Sequence, residues 1–460
     1  MGIGLEIRDP IHGFIFREPH EQEIIDAPIF QRLRRLKQLA LAILVYPGAV
    51  HTRFDHSLGA YYLAQKVSGR LLKSANERRL VRLAALLHDI GHGPFSHVSE
   101  DIFEECSDRG KLGLKPKQQI HEAITAKLIS ADKDLSYHLS TKEREQIIHL
   151  LEGTSGPGVL KSIISGPIDV DKMDYLLRDS YFCGVQYGIY DVERLIDTLV
   201  VHEDSYDRHL AISLDGVHVL EQFVLAKYYM STQVYRHRIR LITDEMIVRG
   251  IMLGIKKDGI SWLKDLYTYD GSDAFVDNYL EWHDERLTSE LLRKETPNGY
   301  AKDMFRRLSN RRLFKRVYYG KPQDFGPATR RVLFEANKAL FTKIEAKIAS
   351  VYGWDHNLVL AKKITHKSVR TQATTNEGQI TVMKPGEKSV FDEESALFKS
   401  INDAIREEFV EVYAPVTYKD EKEKKKLQEE YHRDITAMIE QLANPQEPLP
   451  LNVAAERPSV

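Results

Sequence analysis

The sequence predicts a mainly α protein, with a helical core over residues 1–300 and a smaller α+β C-terminal lobe over residues 301–443. Three observations carry that prediction. Leu80, Leu83, Ala84 and Leu87 recur at i, i+3, i+4 and i+7, the spacing that gives a helix one core-facing apolar stripe. Asp171, Tyr175 and Asp179 stand at i, i+4 and i+8, so on a helix they share one face. Beyond residue 300 the pattern changes, and Gln379–Met383 and Phe409–Tyr413 are short runs of strand type.

From the N-terminus, Phe30, Leu33 and Leu36 form the apolar stripe of a short helix whose other face carries Arg32, Arg34, Arg35 and Lys37. Leu58, Tyr62, Leu63 and Val67 suggest a second helix, begun near His56. The Leu80 helix stops before Gly91, Gly93 and Pro94, which interrupt regular structure. Residues 153–158, GTSGPG, form a loop. Helical spacing resumes around Asp171 and again from Glu221 to about Arg249. Residues 302–316 hold seven basic side chains (Lys302, Arg306, Arg307, Arg311, Arg312, Lys315, Arg316) against one acid, Asp303. Gly320 to Pro322 and Gly326-Pro327 punctuate the lobe, and Leu427, Tyr431, Ile435, Met438 and Leu442 space out a final helix. The Pro-rich residues 444–460 are expected to be a disordered tail. No internal repeat is present.

With 460 residues, 42% of them hydrophobic, the chain is expected to bury a large core and to hold more than one domain. Lys and Arg number 65 and Asp and Glu 67, a net charge of -2, so no global charge draws it to nucleic acid or membrane. Two cysteines, Cys106 and Cys183, are too few for a disulfide scaffold or a Cys-rich zinc site and read as core thiols in a reducing cytosol. The start MGIGLEIRDPIHG lacks the basic and apolar regions of a signal peptide, and Glu6 breaks the Gly2 myristoylation pattern. No run of about 18 apolar residues occurs, so no membrane span is expected. The expectation is a soluble, cytoplasmic protein.

Chemistry concentrates in three separated segments: His56 in RFDHSLG, the pair His88-Asp89 in LLHDIGHGPFSH, and Asp171 in IDVDKMDY. Two imidazoles and two carboxylates converging from several helices make a divalent-metal site in a bundle core. Adjacent residues on a helix point about 100° apart, so His88 and Asp89 reach one ion only at a helix end, and Gly91 marks one there. Mixed nitrogen and oxygen donors suit Fe, Mn, Zn, Ni or Co, with Mg admitted where water completes the shell. The alternative is a set of satisfied structural histidines; three of them in the ten residues HDIGHGPFSH favour ligands.

RFDHSLG, LLHDIGHGPFSH and DVDKMDYLLRD closely resemble the three signature segments of the HD-domain deoxynucleoside triphosphate triphosphohydrolases. That group takes in bacterial dGTPase-like enzymes and the vertebrate SAM-and-HD-domain enzyme. The resemblance runs from RDPIHGFI to about residue 250 and on through RRLFKRV near 311–317. With no room ahead of it for a SAM domain, the chain looks like the bacterial or archaeal form. The resemblance implies a helical HD-domain metallophosphohydrolase core with a smaller α+β C-terminal lobe. It implies hydrolysis of a dNTP to deoxynucleoside and inorganic triphosphate, with His56, His88, Asp89 and Asp171 as metal ligands. It further implies that His97 protonates the 5′ leaving oxygen, with His92 and His121 beside the α-phosphate. Glu100 lies three residues after His97, so an i, i+3 contact is expected to orient that ring; the family commonly has Asp there.

By the same resemblance Gln38 and Leu39 contact deoxyribose and base edge, and Arg53 and Lys172 reach the phosphates. Tyr175 presses on the sugar and excludes a 2′-OH, and Asp179 accepts from the 3′-OH; otherwise they are a buried Tyr and a carboxylate paired to Arg178. Tyr235 matches a base-stacking tyrosine, and His237 and Arg238 match phosphate contacts, Arg standing where the vertebrate enzyme has Lys; otherwise the string is a solvated basic face. Asp26, Gln31, Arg34 and Arg312 match an allosteric site for a nucleotide activator, GTP or a dNTP, between subunits of a homotetramer. The family's lysine near Ile7-Arg8 is missing, and its basic pair falls at Ser213 and Asp215. Asp26 is otherwise the N-cap of the helix that starts at Pro28. Two further function classes stand beside the dNTPase: an HD phosphohydrolase of monophosphates, cyclic nucleotides or alarmones, and a nucleic-acid-binding protein using residues 302–316 over a vestigial site. Filled ligand positions oppose the last, and near-neutral charge makes nucleic acid an unexpected primary ligand.

Overall fold

Asp55 accepts hydrogen bonds from both the N–H and the O–H of Thr52 at 2.8 Å, and this cap starts the helix Arg53–Leu71 three residues ahead of His56. The next helix, Ala75–Leu87, packs on it and buries Val81, Leu83, Ala84, Leu86 and Leu87. It ends at His88, so the His88-Asp89 pair sits at a helix end, as the metal reading required. Asp169 caps the helix Val170–Cys183, which closes at Gly184 in the left-handed region (φ 69) and packs against Arg53–Leu71. The computed structural model describes residues 6–335, 338–366, 379–400 and 407–443; the tail expected at 444–460 lies outside them.

The described residues form two compact units: 6–305 with 379–400, and 306–366 with 407–443. The first is mainly helical. Two small strand groups join its helices. Glu6–Asp9 pairs antiparallel with Gly13–Phe16. Leu199–Glu203 pairs with Arg208–Ser213, which in turn runs parallel to Thr381–Lys384, followed by Glu387–Val390. The run Gln379–Met383, grouped by sequence with the C-terminal lobe, thus supplies strands to the first unit. In the second unit Glu407–Ala414 is the central strand between Lys315–Gly320 and Leu360–His366. Val410, Val412 and Ala414 alternate toward a core shared with Ile344, Ile348, Ile435, Met438 and Ile439 of the helices Lys338–Tyr352 and Glu421–Ala443. The chain is therefore mainly α with a smaller α+β C-terminal region.

Three basic side chains behave otherwise than a solvated face. Arg32 is buried, donating to the carbonyls of Trp282 (3.1 Å) and His92 (2.9 Å). Lys302 is buried too, with Nζ on the carbonyls of Arg293 and Thr296. Arg316 pairs with the buried Glu411. Periodicity placed Arg32 on a polar helix face, and Lys302 and Arg316 belonged to the basic run 302–316. Buried backbone carbonyls draw Arg32 and Lys302 inward because leaving them without a partner is costly, and Arg316 is drawn by the Glu411 carboxylate. The N-cap reading of Asp26 also fails. Asp26 ends the helix Pro19–Asp26, and Ala27 takes the cap position of Pro28–Gln31 without a side-chain bond. Among the described residues no helix is long and apolar enough to cross a membrane.

Candidate active site

His56, on Arg53–Leu71, and His88, just past Ala75–Leu87, bring their Nε2 atoms within 3.3 Å. Asp171, in the first turn of Val170–Cys183, places Oδ1 2.9 Å from His56 Nε2 and 3.7 Å from His88 Nε2. The other ring nitrogens are already committed. His88 Nδ1 lies 2.8 Å from the Ala85 carbonyl, which only accepts, and His56 Nδ1 lies 2.8 Å from the Asp174 carboxylate. In the neutral tautomers this leaves two lone pairs and a carboxylate oxygen aimed at one point. That arrangement repels itself without a cation, and it fits a divalent metal. Burial presses the His56 imidazole down, but Asp171 and Asp174 outweigh it and raise it to about 10, so a proton is held where a cation fits.

Asp89 stands beside the cluster. Its Oδ1 is 3.3 Å from both His88 Nε2 and His92 Nε2, and its Oδ2 is bound by Arg53 Nη1. Burial opposes its charge, but Arg53 and the two histidines hold its carboxyl well below the usual range.

A cavity of about 590 Å³ opens onto this cluster. Of the residues expected from sequence it is lined by Gln38, Leu39, Arg53, His92, His97, His121, Lys172, Tyr175, Asp179 and Tyr235, with His56, His88 and Asp171 of the cluster and Asp89 beside it. His92 stacks on His121 at 3.8 Å and meets His97 edge-on at 5.0 Å. His97 opens to the cavity, yet burial of the site and the Arg53 guanidinium keep it below the ordinary imidazole range. The loop carrying it is strained: Phe95 and Ser96 have φ of 64° and 58°. Asp284 holds the loop by accepting from Phe95 N at 2.8 Å, and Ser96 Oγ accepts from Arg53 Nε at 2.8 Å. Lys172 Nζ is bonded to Asp169 and to the Gly166 carbonyl. Asp179 accepts from Tyr235 OH at 2.7 Å and meets His51 Nε2 at 2.8 Å.

The expected Glu100–His97 contact is replaced by another. His97 is the residue before the helix Val98–Cys106, and Glu100 in its first turn reaches across to the helix Ile120–Ala131. It meets His121 Nδ1 at 2.9 Å and accepts from the N–H groups of Ile120 and His121. Arg238 and His237 also differ from expectation. His237 is the N-cap of Arg238–Lys256, with Nδ1 accepting from Ile239 N–H, and Arg238 is exposed; neither lines the cavity. Arg240 lines it instead, because two residues turn a helix by about 200°. Arg240 is 7% exposed, and its Nη1 has no hydrogen-bond partner, while Nε lies 3.6 Å from Asp244.

Of the residues matched to an activator site, Asp26, Gln31 and Arg34 lie outside the cavity lining. Gln31 donates to the Ile25 carbonyl and accepts from Arg34 at 2.8 Å, Asp26 accepts from Gln22, and Arg34 covers the Phe54 ring. Arg312, in the second unit, is exposed. The sequence reading missed Asp174, His51, Arg240 and Asp284. Arg240 stood within the VYRHRIRL string, and only the start of the helix tells which arginine faces inward.

Residues 53–179 match the HD domain and residues 190–431 match the HD-associated region. An uncharacterised protein of Methanocaldococcus jannaschii is 32% identical over 349 residues, covering 76% of this chain and 67% of that protein. The deoxynucleoside triphosphate triphosphohydrolase SAMHD1 of Bos taurus is 30% identical over 363 residues, and this chain spans 59% of its length. The crystal structure of a hypothetical protein from Aquifex aeolicus superposes with a TM-score of 0.68 at 28% identity, covering 94% of this chain and 99% of that one. With both the HD domain and the HD-associated region, the chain belongs to the HD-domain phosphohydrolase family that includes the SAMHD1 triphosphohydrolases.

Proposed function

We propose that this protein hydrolyses deoxynucleoside triphosphates to a deoxynucleoside and inorganic triphosphate. The observation that supports it most is the single cavity that joins the His56, His88 and Asp171 cluster to Tyr175, Asp179 and Tyr235. Asp171, Tyr175 and Asp179 come from one face of one helix, so a ligand seated along it meets metal site and sugar contacts together. A divalent metal held by His56, His88, Asp89 and Asp171 would supply positive charge against the phosphates and an acidified water.

The chain's own groups carry the rest. Water adds to the α-phosphorus and gives up a proton to solvent, the bond to O5′ breaks, and O5′ leaves with a proton from His97, which solvent then restores, giving a free 5′-hydroxyl and triphosphate. Burial and the Arg53 cation both keep His97 neutral, and phosphate charge beside Arg53 offsets the second of these, which favours the protonated acid. Arg53 Nη2 and Arg240 Nη1 are buried donors with no hydrogen-bond partner, suited to an anionic or carbonyl-bearing ligand. Glu100 orients His121, and Asp179 keeps an acceptor site for the 3′-OH. Tyr175 stands where a 2′-OH would have to fit. Activation by GTP or a dNTP at Asp26, Gln31, Arg34 and Arg312, in a homotetramer, is part of the same reading and rests on the motif resemblance of the sequence alone. So is a cytoplasmic location.

The test incubates each dNTP, with and without GTP, in Mg or Mn, and separates products by ion exchange, with His88→Ala and Asp89→Ala alongside. Deoxynucleoside plus intact triphosphate, lost in both variants, is the expected result. Survival of every dNTP under all conditions would overturn the reading.

A further inference from the structure

His56 turns one ring nitrogen to the metal cluster and the other to Asp174. Asp174 has no exposed surface. Its Oδ2 meets His56 Nδ1 at 2.8 Å and Arg178 Nε at 2.8 Å; its Oδ1 meets Arg178 Nη2 at 2.9 Å and His12 Nε2 at 2.7 Å. The remaining Arg178 nitrogen, Nη1, donates to Asp9 Oδ2 at 2.8 Å. The other Asp9 oxygen accepts from the N–H groups of Ile11 and His12, both at 2.8 Å, and so shapes the turn between the strands Glu6–Asp9 and Gly13–Phe16. An unbroken hydrogen-bond chain therefore runs from the N-terminal hairpin to the imidazole of His56. Gly59 makes room for it: a Cβ there would lie 1.8 Å from Asp174 Oδ1 and 2.4 Å from Arg178 Nη2.

We propose that the N-terminal hairpin is a positioning element of the metal centre, acting on His56 through His12, Asp9, Arg178 and Asp174. The proposal rests on the reading of His56, His88 and Asp171 as metal ligands. A ligand imidazole that donates to a buried carboxylate is fixed in tautomer and ring angle and made a better donor; such outer partners are typically worth about 10- to 100-fold in metal affinity. Asp174 can hold His56 only while its own carboxylate plane is held. Arg178 grips both oxygens from the same helix, so it turns with Asp174 rather than against it. His12 is the anchor from a different element, wedged by its stack on Tyr62 at 4.9 Å. Loss of the His12 ring leaves Oδ1 with Arg178 alone and opens space beside Tyr62 into which the carboxylate rotates.

The full chain is titrated with cobalt(II), following its visible absorbance and the heat of binding, for wild type, His12→Ala, His12→Gln, Asp9→Asn and His88→Ala. Circular dichroism checks each fold. His12→Ala is expected to bind cobalt about 10-fold or more weakly with an altered spectrum. His12→Gln, whose amide can still donate to Asp174, is expected to recover most of the loss, and Asp9→Asn to fall between. A folded His12→Ala protein that binds cobalt within about twofold of wild type, with the same spectrum, overturns the proposal. Should His12→Ala fail to fold, wild-type affinity in Asp9→Asn overturns it equally. Identical binding by wild type and His88→Ala would instead sink the metal site, and the proposal with it.

Discussion

Asp179 offers the sharpest test of whether this cavity reads a sugar. It is almost fully buried, and its two oxygens already meet Tyr235 OH at 2.7 Å and His51 Nε2 at 2.8 Å. A carboxylate has about four acceptor sites, so about two remain, enough for a substrate hydroxyl. Asp179→Asn keeps the shape and loses the charge. Its carbonyl serves His51, and its amide donates to a Tyr235 hydroxyl that turns to accept, so the framework survives. A hydrogen bond to a charged group contributes about 1.5–3 kcal/mol, and each 1.36 kcal/mol is tenfold in rate. The variant should therefore lose about 10- to 150-fold in kcat/KM on a dNTP. On the matching 2′,3′-dideoxynucleoside triphosphate, which has no 3′-hydroxyl, it should lose little, because the wild type has no bond there to forfeit. Steady-state kinetics of two proteins on two substrates closes the cycle. Equal losses on both substrates would refute a 3′-OH contact and leave Asp179 a framework residue for Tyr235 and His51.

Tyr175→Ala should relax sugar selection: GTP turnover, measured beside dGTP, rises toward the dGTP rate, and unchanged discrimination would remove Tyr175 from that role. Asp284 gives a pH signature. Burial raises its carboxyl to about 6 against the lowering pull of the Phe95 and Lys37 N–H groups, so between about pH 4 and 6 the folded protein holds a proton that the unfolded chain releases. Its contribution to stability is present below about pH 4 and is lost as pH rises through 6, by up to about 3 kcal/mol. Urea midpoints of wild type against Asp284→Asn should diverge in the variant's favour across that window; parallel curves would show that Asp284 does not titrate there. Glu21→Ala removes a fully buried carboxylate that Arg82 grips at 2.7 Å and that Tyr61 hydrogen-bonds, leaving the Arg82 cation unpaired. A loss of about 3–5 kcal/mol in urea unfolding is expected, and a loss under 1 kcal/mol would mean that Arg82 swings out to water.

The helices of the site were legible because each repeats its apolar positions at helical spacing. Leu83, Ala84 and Leu87 are buried as that spacing requires, and the final helix buries Tyr431, Ile435 and Met438. The candidate metal cluster was legible because three segments each carry residues that have little reason to share a core otherwise. The i, i+4, i+8 spacing of Asp171, Tyr175 and Asp179 put three candidate site residues on one face, and all three line the cavity.

What the sequence by itself determined was which residues share a face and which segments carry donors. Which neighbour each face meets was decided only by the tertiary structure, because periodicity is local and contact is not. Thr381–Lys384 pairs with Arg208–Ser213 across more than half the first unit's length of chain, and no local pattern names that partner. Glu100 turned to His121 rather than to His97, because the helix begins after His97 and brings the turn at Ile120 within reach. Arg240 rather than Arg238 faces the cavity because the two lie about 200° apart on the helix that begins at Arg238, and the sequence does not say which side of that helix meets the cavity. Asp174 lies three residues from Asp171 in the chain, yet its partners His12 and His56 come from 162 and 118 residues away, and burial of all of them together fixes its place.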